Sequence, residues 1–162
     1  MSDVTLDPIG SVGVSVPWGE FAAQTPELAD FGALRLGVVP AYLATVGDSG
    51  VPRVHPVTPI IGEGRLFVFM EPTSPKGHDI ARRGGYALHC HVPDAEGAGG
   101  EFYVRGRGER IDSQQIRALA ARAASYQPHD RYVLFELRIA DARCNGYGDV
   151  PLPEPRSWHV TA

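Results

Sequence analysis

Short strand-length apolar runs, set off by Gly and Pro, dominate this chain, and a helical period appears only in short stretches. The first is Trp18 to about Leu36, where Phe21, Leu28, Phe31, Leu34 and Leu36 fall roughly on one helical face. Thr25-Pro26 interrupts it, so the spacing predicts two short helices, with Thr25 as N-cap and Pro26 at the first helical position. Gly37 is the expected stop. Met1 to Pro17 shows no period and reads as an N-terminal arm, 1–17, ahead of a single domain, 18–162.

Strand patterns dominate from there on. Ala41–Val46 (AYLATV) is a short apolar strand, and Gly47 to Gly50 is a turn. Val51–Ile61 (VPRVHPVTPII) is extended, and prolines at 52, 56 and 59 give it an edge, bulged or ligand-facing character. After Gly62-Glu63-Gly64, Arg65–Met70 (RLFVFM) is a third strand, and the three are expected to form an antiparallel meander. A short helix from Pro75 or Lys76 to about Arg83, N-capped by Ser74, ends at Gly84-Gly85. Strands follow at Tyr86–Val92, Glu101–Ile111 and Arg131 to about Ala142, with a helix from Gln114 to about Ser125 between the last two. Six antiparallel strands with hairpin connections favour a mainly β fold with short helices, closed or half-closed into a barrel that removes exposed edges.

The chain has 162 residues, enough to bury a core without disulfides or a structural metal. A net charge of -4 disfavours general nucleic-acid binding, which needs a basic surface, while leaving room for a local basic pocket. No apolar run approaches the roughly 18 residues of a membrane span, and none is expected. The start lacks the features of a signal peptide, and Cys90 and Cys144 read as reduced thiols, so a cytoplasmic location is expected. No glycine-rich turn has the dinucleotide-binding pattern.

The segment richest in chemistry is Phe67–Arg83 (FVFMEPTSPKGHDIARR). A strand ends, a loop carries Thr73 and Ser74, and Lys76 stands at the start of a helix. Unpaired N–H groups and the positive end of the helix dipole, next to a hydroxyl and an ammonium, suit one phosphate. The plainer alternative is that Ser74 only caps the helix and Lys76 is solvated.

This Ser-x-Lys turn between two strands resembles the phosphate-binding turn of the pyridoxamine 5'-phosphate oxidase-like, FMN-binding split-barrel family. LATVGDSGVPRVHPVTPIIGEGRLFVF resembles that family's first hairpin and third strand, EFYVRGRGERI its next core strand, and VLFELRIADAR its closing strand. The resemblance implies a six-stranded Greek-key split barrel, a homodimer, and FMN in the groove between subunits. It places Arg53, Val54, His55, Pro56, Val57 and Thr58 along the ring and ribityl chain. Ser74 and Lys76 take the phosphate, with Arg82 or Arg83 as a supplement. Phe69 and Met70 sit beside the ring, Tyr103 approaches it from a partner strand, and Trp158 closes the pocket. Thr58, Pro75 and Tyr103 stand where true oxidases carry a lysine, a basic residue and a glutamine, so oxidation of pyridoxine phosphates is not expected. A flavin-dependent oxidoreductase acting on a small conjugated substrate is the leading expectation. Deazaflavin and haem remain alternative cofactors, non-catalytic storage or sensing an alternative role, and a dimer that has lost its cofactor a third.

Other candidates are weaker. His89 and His91 share one strand face and could line a pocket, begin a metal site or ligate haem. Two ligands do not make a zinc site, and no metal is expected. His55 could contact a cofactor, whereas His78-Asp79 reads as surface and Cys90 as buried and inert. Arg105, Arg107 and Arg110 read as a solvated strand face, and Trp18 as core. No catalytic acid or base can be named.

Overall fold

The computed structural model describes residues 13–161; most of the arm, residues 1–12, lies outside the described residues. Within it, Val16 exchanges backbone hydrogen bonds with Ile139 at 2.9 and 2.7 Å. Four helices and eight strands follow: α1 (Trp18–Gln24), α2 (Pro26–Leu36), β1 (Ala41–Val46), β2 (Pro52–Val57), β3 (Ile60–Gly62), β4 (Arg65–Met70), α3 (Pro75–Arg83), β5 (Gly85–His89), β6 (Glu101–Ile111), α4 (Gln114–Ala123), β7 (Val133–Asn145) and β8 (Ser157–His159).

All strand pairs are antiparallel, in the order β2-β1-β5-β6-β7-β4-β3, with β8 added to β7. This corrects two expectations. The extended stretch 51–61 is not one strand, because Thr58 and Pro59 break it into β2 and β3. Nor do the first three predicted strands form a meander, since β2 and β3 occupy opposite edges of the sheet. Two residues of extended chain reach only about 7 Å. The sheet must therefore curl until its margins approach at that link, forming an open half-barrel. The break and the short tail strand β8 turn the expected six strands into eight.

Packing follows the period-two pattern. Leu43, Leu88, Phe102, Val104, Leu137 and Ile139 fill the concave side, and α1 and α2 cover it with Trp18, Phe21 and Leu28. Each such side chain contributes roughly 1.5–3 kcal/mol of burial free energy. Strand β4 is buried on both faces. Leu66, Val68 and Met70 join the concave core, while Phe67 and Phe69 lie with Ala120 of α4 in a second cluster. Trp18 is core, as expected, with its ring 5.1 Å from that of Phe21.

Two glycines of β6 position the rest. At Gly106 the register slips by one residue, and a Cβ there would collide with the Arg138 carbonyl oxygen. At Gly108 a Cβ would come 2.5 Å from Ile80, so the missing side chain is what lets α3 settle against the sheet. The Gly108 N–H also donates to the Gly84 carbonyl at 2.7 Å, fixing the C-terminal end of α3. No helix among the described residues is long and apolar enough to cross a membrane.

Candidate functional site

Helix α3 carries alternate chemistry on its two sides. Gly77 and Ile80 pack inward, while Pro75, His78, Asp79, Arg82 and Arg83 border a cleft of about 430 Å3, closed by Asp48, Ser49 and Arg53 of the β1–β2 hairpin. Asp79 is its centre and is buried, which corrects the expectation of a surface His78-Asp79 pair; His78 alone is exposed. One Asp79 carboxylate oxygen accepts from the Thr45 hydroxyl and from Arg53 Nε, each at 2.8 Å. The arrangement ties α3 to β1 and β2 and fixes the direction of Arg53.

The cations of this cleft outnumber its carboxylates. Arg53 is matched by Asp79, but Arg82 and Arg83 share the single carboxylate of Asp48, at 3.2 and 3.4 Å. The Nε of Arg83 is buried without a hydrogen-bond partner.

The Ser74-x-Lys76 corner adjoins this cleft. Ser74 occupies the N-cap of α3, as the sequence predicts, but its hydroxyl makes no capping bond. It instead accepts from Lys76 Nζ at 3.0 Å. Lys76 is the single lysine of the chain, and partial burial pulls its pKa down. An anion beside it would reverse that shift.

The opposite face of the same strands is apolar and aromatic. Strand register sets two rows across β2, β1, β5 and β6. One runs Val54, Ala44, Ala87, Arg105; the next runs Pro56, Tyr42, His89, Tyr103. The paired alanines leave a dip of about 230 Å3 bordered by Tyr42, Val54, His89, Tyr103 and Arg105. Val54 is 62% exposed, and the His89 and Tyr103 rings lie parallel within 11°, with centroids 6.3 Å apart. Arg105 is held by Asp141 at 2.9 Å, and the expected solvated arginine face is exposed at 105, 107 and 110.

His89 is the group with the largest upward shift in this region. Its closeness to the Cys90 side chain, with smaller contributions from the Cys90 backbone and Glu101, overcomes partial burial and pushes its pKa up to about 9. Burial alone would raise the Cys90 thiol. Hydrogen bonds from His89 and the Phe102 N–H, with the nearby Arg35 guanidinium, hold it below its ordinary value instead. Cys90 is buried, as expected, and Arg35 of α2 donates to the neighbouring His91 carbonyl at 2.9 Å.

The expected site residues therefore divide. Arg53 faces the cleft with α3; Val54 and Tyr103 border the outer dip. Pro56 is exposed, His55 and Thr58 are half-buried, and Val57 is in the core. The Nε2 atom of His55 is buried without a partner. Phe69 and Met70 are buried on either side of β4, and their side chains border neither region. Trp158 borders neither region. It packs 5.1 Å from Phe21 and donates to Gln24 at 3.1 Å, which places it against α1. Asp48, Thr45 and Asp79 were missed, although the spacing of residues 75, 78, 79 and 82 along one face of α3 carries a signal.

A phosphorylated planar cofactor needs cations for its anionic group and a flat apolar surface for its ring. The cations stand on α3 and at Arg53 of β2, and the apolar surface lies on the other face of the same hairpin, so the residue types fit a flavin-type group. Among the described residues no cluster of three or more metal-ligating side chains is present.

No family model matches the chain, and no curated protein matches it. Solved structures do. A haem-binding protein from Mycobacterium smegmatis superposes with a TM-score of 0.62 at 20% identity, over 83% of this chain. The chain spans 57% of the length of that protein. The FAD-binding protein from the same organism gives 0.57 at 13% identity, over 74% of this chain and 95% of the other. A Listeria innocua protein named for pyridoxamine 5'-phosphate oxidase gives 0.57 at 11% identity, over 72% and 96%. At these identities the likeness is one of fold.

Proposed function

From a fold shared with flavin- and haem-binding split-barrel proteins of the pyridoxamine 5'-phosphate oxidase-like type, we propose that this chain binds a flavin-type cofactor, FMN in the first instance, and acts as an oxidoreductase on a small conjugated substrate. The observation that carries the reading is the cationic cleft and corner around α3, where Arg53, Arg82, Arg83 and Lys76 face a shortage of carboxylates. Lys76 and Ser74 hold the phosphate, and Arg83, which borders the cleft, supplements them. The dip between Val54 and Tyr103 supports the ring. When bound, a flavin supplies the electron or hydride transfer; the chain binds, orients and partly shields it. A second copy of the chain covers the outer face in this reading, forming a homodimer with the cofactor between subunits, in the cytoplasm and without nucleic acid.

A second reading, cofactor storage or sensing without catalysis, draws on the same face. His89 is the titratable imidazole of the dip, and both of its ring nitrogens are engaged. It is thus no free general base. Deazaflavin fits the same two regions. As a haem ligand His89 is poorly placed, since both ring nitrogens face acceptors and a protonated nitrogen offers no lone pair.

Titration of the purified protein with FMN, followed by flavin fluorescence and by thermal shift, tests the reading. Saturable binding with a raised melting temperature is expected. No binding at high micromolar FMN, with no visible absorbance in the purified protein, would overturn it. Reduction of the bound flavin by a nicotinamide or deazaflavin donor then separates enzyme from store.

A further inference from the structure

The outer dip contains a hydrogen-bond donor whose present contact can be exchanged. His89 Nδ1 lies 2.7 Å from the Cys90 carbonyl oxygen, an atom that can only accept. Its Nε2 lies 3.3 Å from Glu101 Oε1. Each nitrogen thus faces an acceptor, and the arrangement is satisfied when both carry a proton. The two contacts are unequal. The Nδ1 bond is short and local, within one residue of chain. The Nε2 contact is long for a charge-assisted bond, and the His89 side chain is 39% exposed. Glu101 also has a second partner, because its other oxygen accepts from the Tyr147 hydroxyl at 3.0 Å. Glu101 can therefore release His89 without losing all of its hydrogen bonding.

The surroundings say what would take its place. Ala44 and Ala87 are direct cross-strand partners and form the floor, with Val54 beside them. Tyr42, His89 and Tyr103 form a continuous aromatic row along one side. A flat apolar floor edged by a cationic N–H donor is complementary to a fused conjugated ring with an acceptor-bearing edge. The charged groups around His89 are Glu101 on β6, Arg105 with Asp141 across β6 and β7, and the thiol of Cys90 on its own strand. Arg105 is already paired, so the exchangeable cation is His89.

We infer that His89 is a ligand-binding residue of the outer sheet face, donating its Nε2–H to the carbonyl edge of a conjugated ring that lies on Ala44 and Ala87, in exchange for Glu101. The inference rests on the cofactor reading above and adds to it the face of the sheet and the donor that recognise the ring. It assigns His89 a role in affinity for the ring, independent of any phosphate.

Lumiflavin, which has the ring but no phosphate, separates the two. Binding of lumiflavin and of FMN is measured by fluorescence quenching at pH 7 for the native protein, His89→Ala, His89→Gln and Lys76→Ala. Native protein is expected to bind both. His89→Ala should lose about tenfold or more in affinity for each. His89→Gln, which restores a donor, should recover most of it, and Lys76→Ala should weaken FMN alone. In nitrogen-15 spectra, lumiflavin should shift the His89 Nε2 resonance of the folded native protein, a readout that a purely structural role would not move. Lumiflavin binding that is unchanged in His89→Ala, or that leaves the Nε2 resonance in place, overturns the inference while FMN binding still stands. FMN binding without any lumiflavin binding overturns it as well. Failure of both ligands overturns the cofactor reading with it. A native dimer in which His89 is buried and lumiflavin excluded assigns the face to the second copy instead, which also overturns it.

Discussion

On the β1–β2 hairpin, Thr45 and Arg53 turn toward a buried carboxylate, while Ala44 and Val54, one residue away on each strand, turn toward the tyrosines of the outer face. The two sides of a single ribbon carry opposite chemistry because side chains alternate across a strand. The charged side is tied internally, with Asp79 binding three elements together. On the aromatic side Tyr42 and Val54 remain exposed. The first region belongs to the stability of the fold as well as to anion recognition. The second gains its contacts from whatever docks on it. Removing a side chain should thus cost folding free energy on one side and ligand affinity on the other.

The sharpest test pairs Asp79→Ala with Tyr103→Ala in urea unfolding. Asp79→Ala should cost about 2–3 kcal/mol, because the Thr45 hydroxyl loses its partner and Arg53 its charge-assisted bond; the part due to half-exposed Arg53 is discounted for solvent screening. Tyr103→Ala, at a half-buried position, should cost less than about 1 kcal/mol. Equal costs would erase the distinction. The next effect is on affinity. Lys76→Ala should weaken FMN binding by about 1.5–3 kcal/mol with little change in folding stability. Unchanged affinity would remove the anion assignment from the corner.

A smaller effect comes from pH. His89 has its folded pKa raised from 6.5 to about 9. Between these values the folded chain binds more protons than the unfolded one, so stability falls as pH rises. His89's contribution is complete below about 6.5 and gone above about 9, and exposure to solvent keeps the loss under about 1 kcal/mol. Unfolding curves at pH 6 and 9.5 should differ in this direction, and His89→Gln should remove that share of the difference. The smallest expected signal concerns the two thiols. Cys90 and Cys144 are each 1% exposed, so a thiol reagent should react at the rate of unfolding, despite the lowered pKa of Cys90.

Much of the architecture was legible in the sequence. The Thr25-Pro26 break, strand Ala41–Val46, strand Arg65–Met70 and helix α3 sit where period, proline and glycine put them. These are local signals, and each is satisfied locally. β2 lies beside β1, as the hairpin predicts, but its separation from β3 was not legible, because that depends on the curl of the entire sheet. The site shows the same limit. Ser74 and Lys76 could be picked out by their place at a helix start. Asp79 could not, because its burial is decided by Thr45 and Arg53, 34 and 26 residues away. The neighbours of Trp158 were hidden for a related reason, because antiparallel pairing of β8 with β7 carries its ring to Phe21.

The Thr58-Pro59 connection has a consequence beyond topology. It works as a clasp whose span sets the width of the seam between the two margins of the curled sheet. Lengthening it by a few residues would widen that seam without altering a single wall residue, and trimming it would cinch the seam shut. Relatives that differ in this stretch by insertion or deletion should differ in the girth of what they can enclose, even where their strands are otherwise alike.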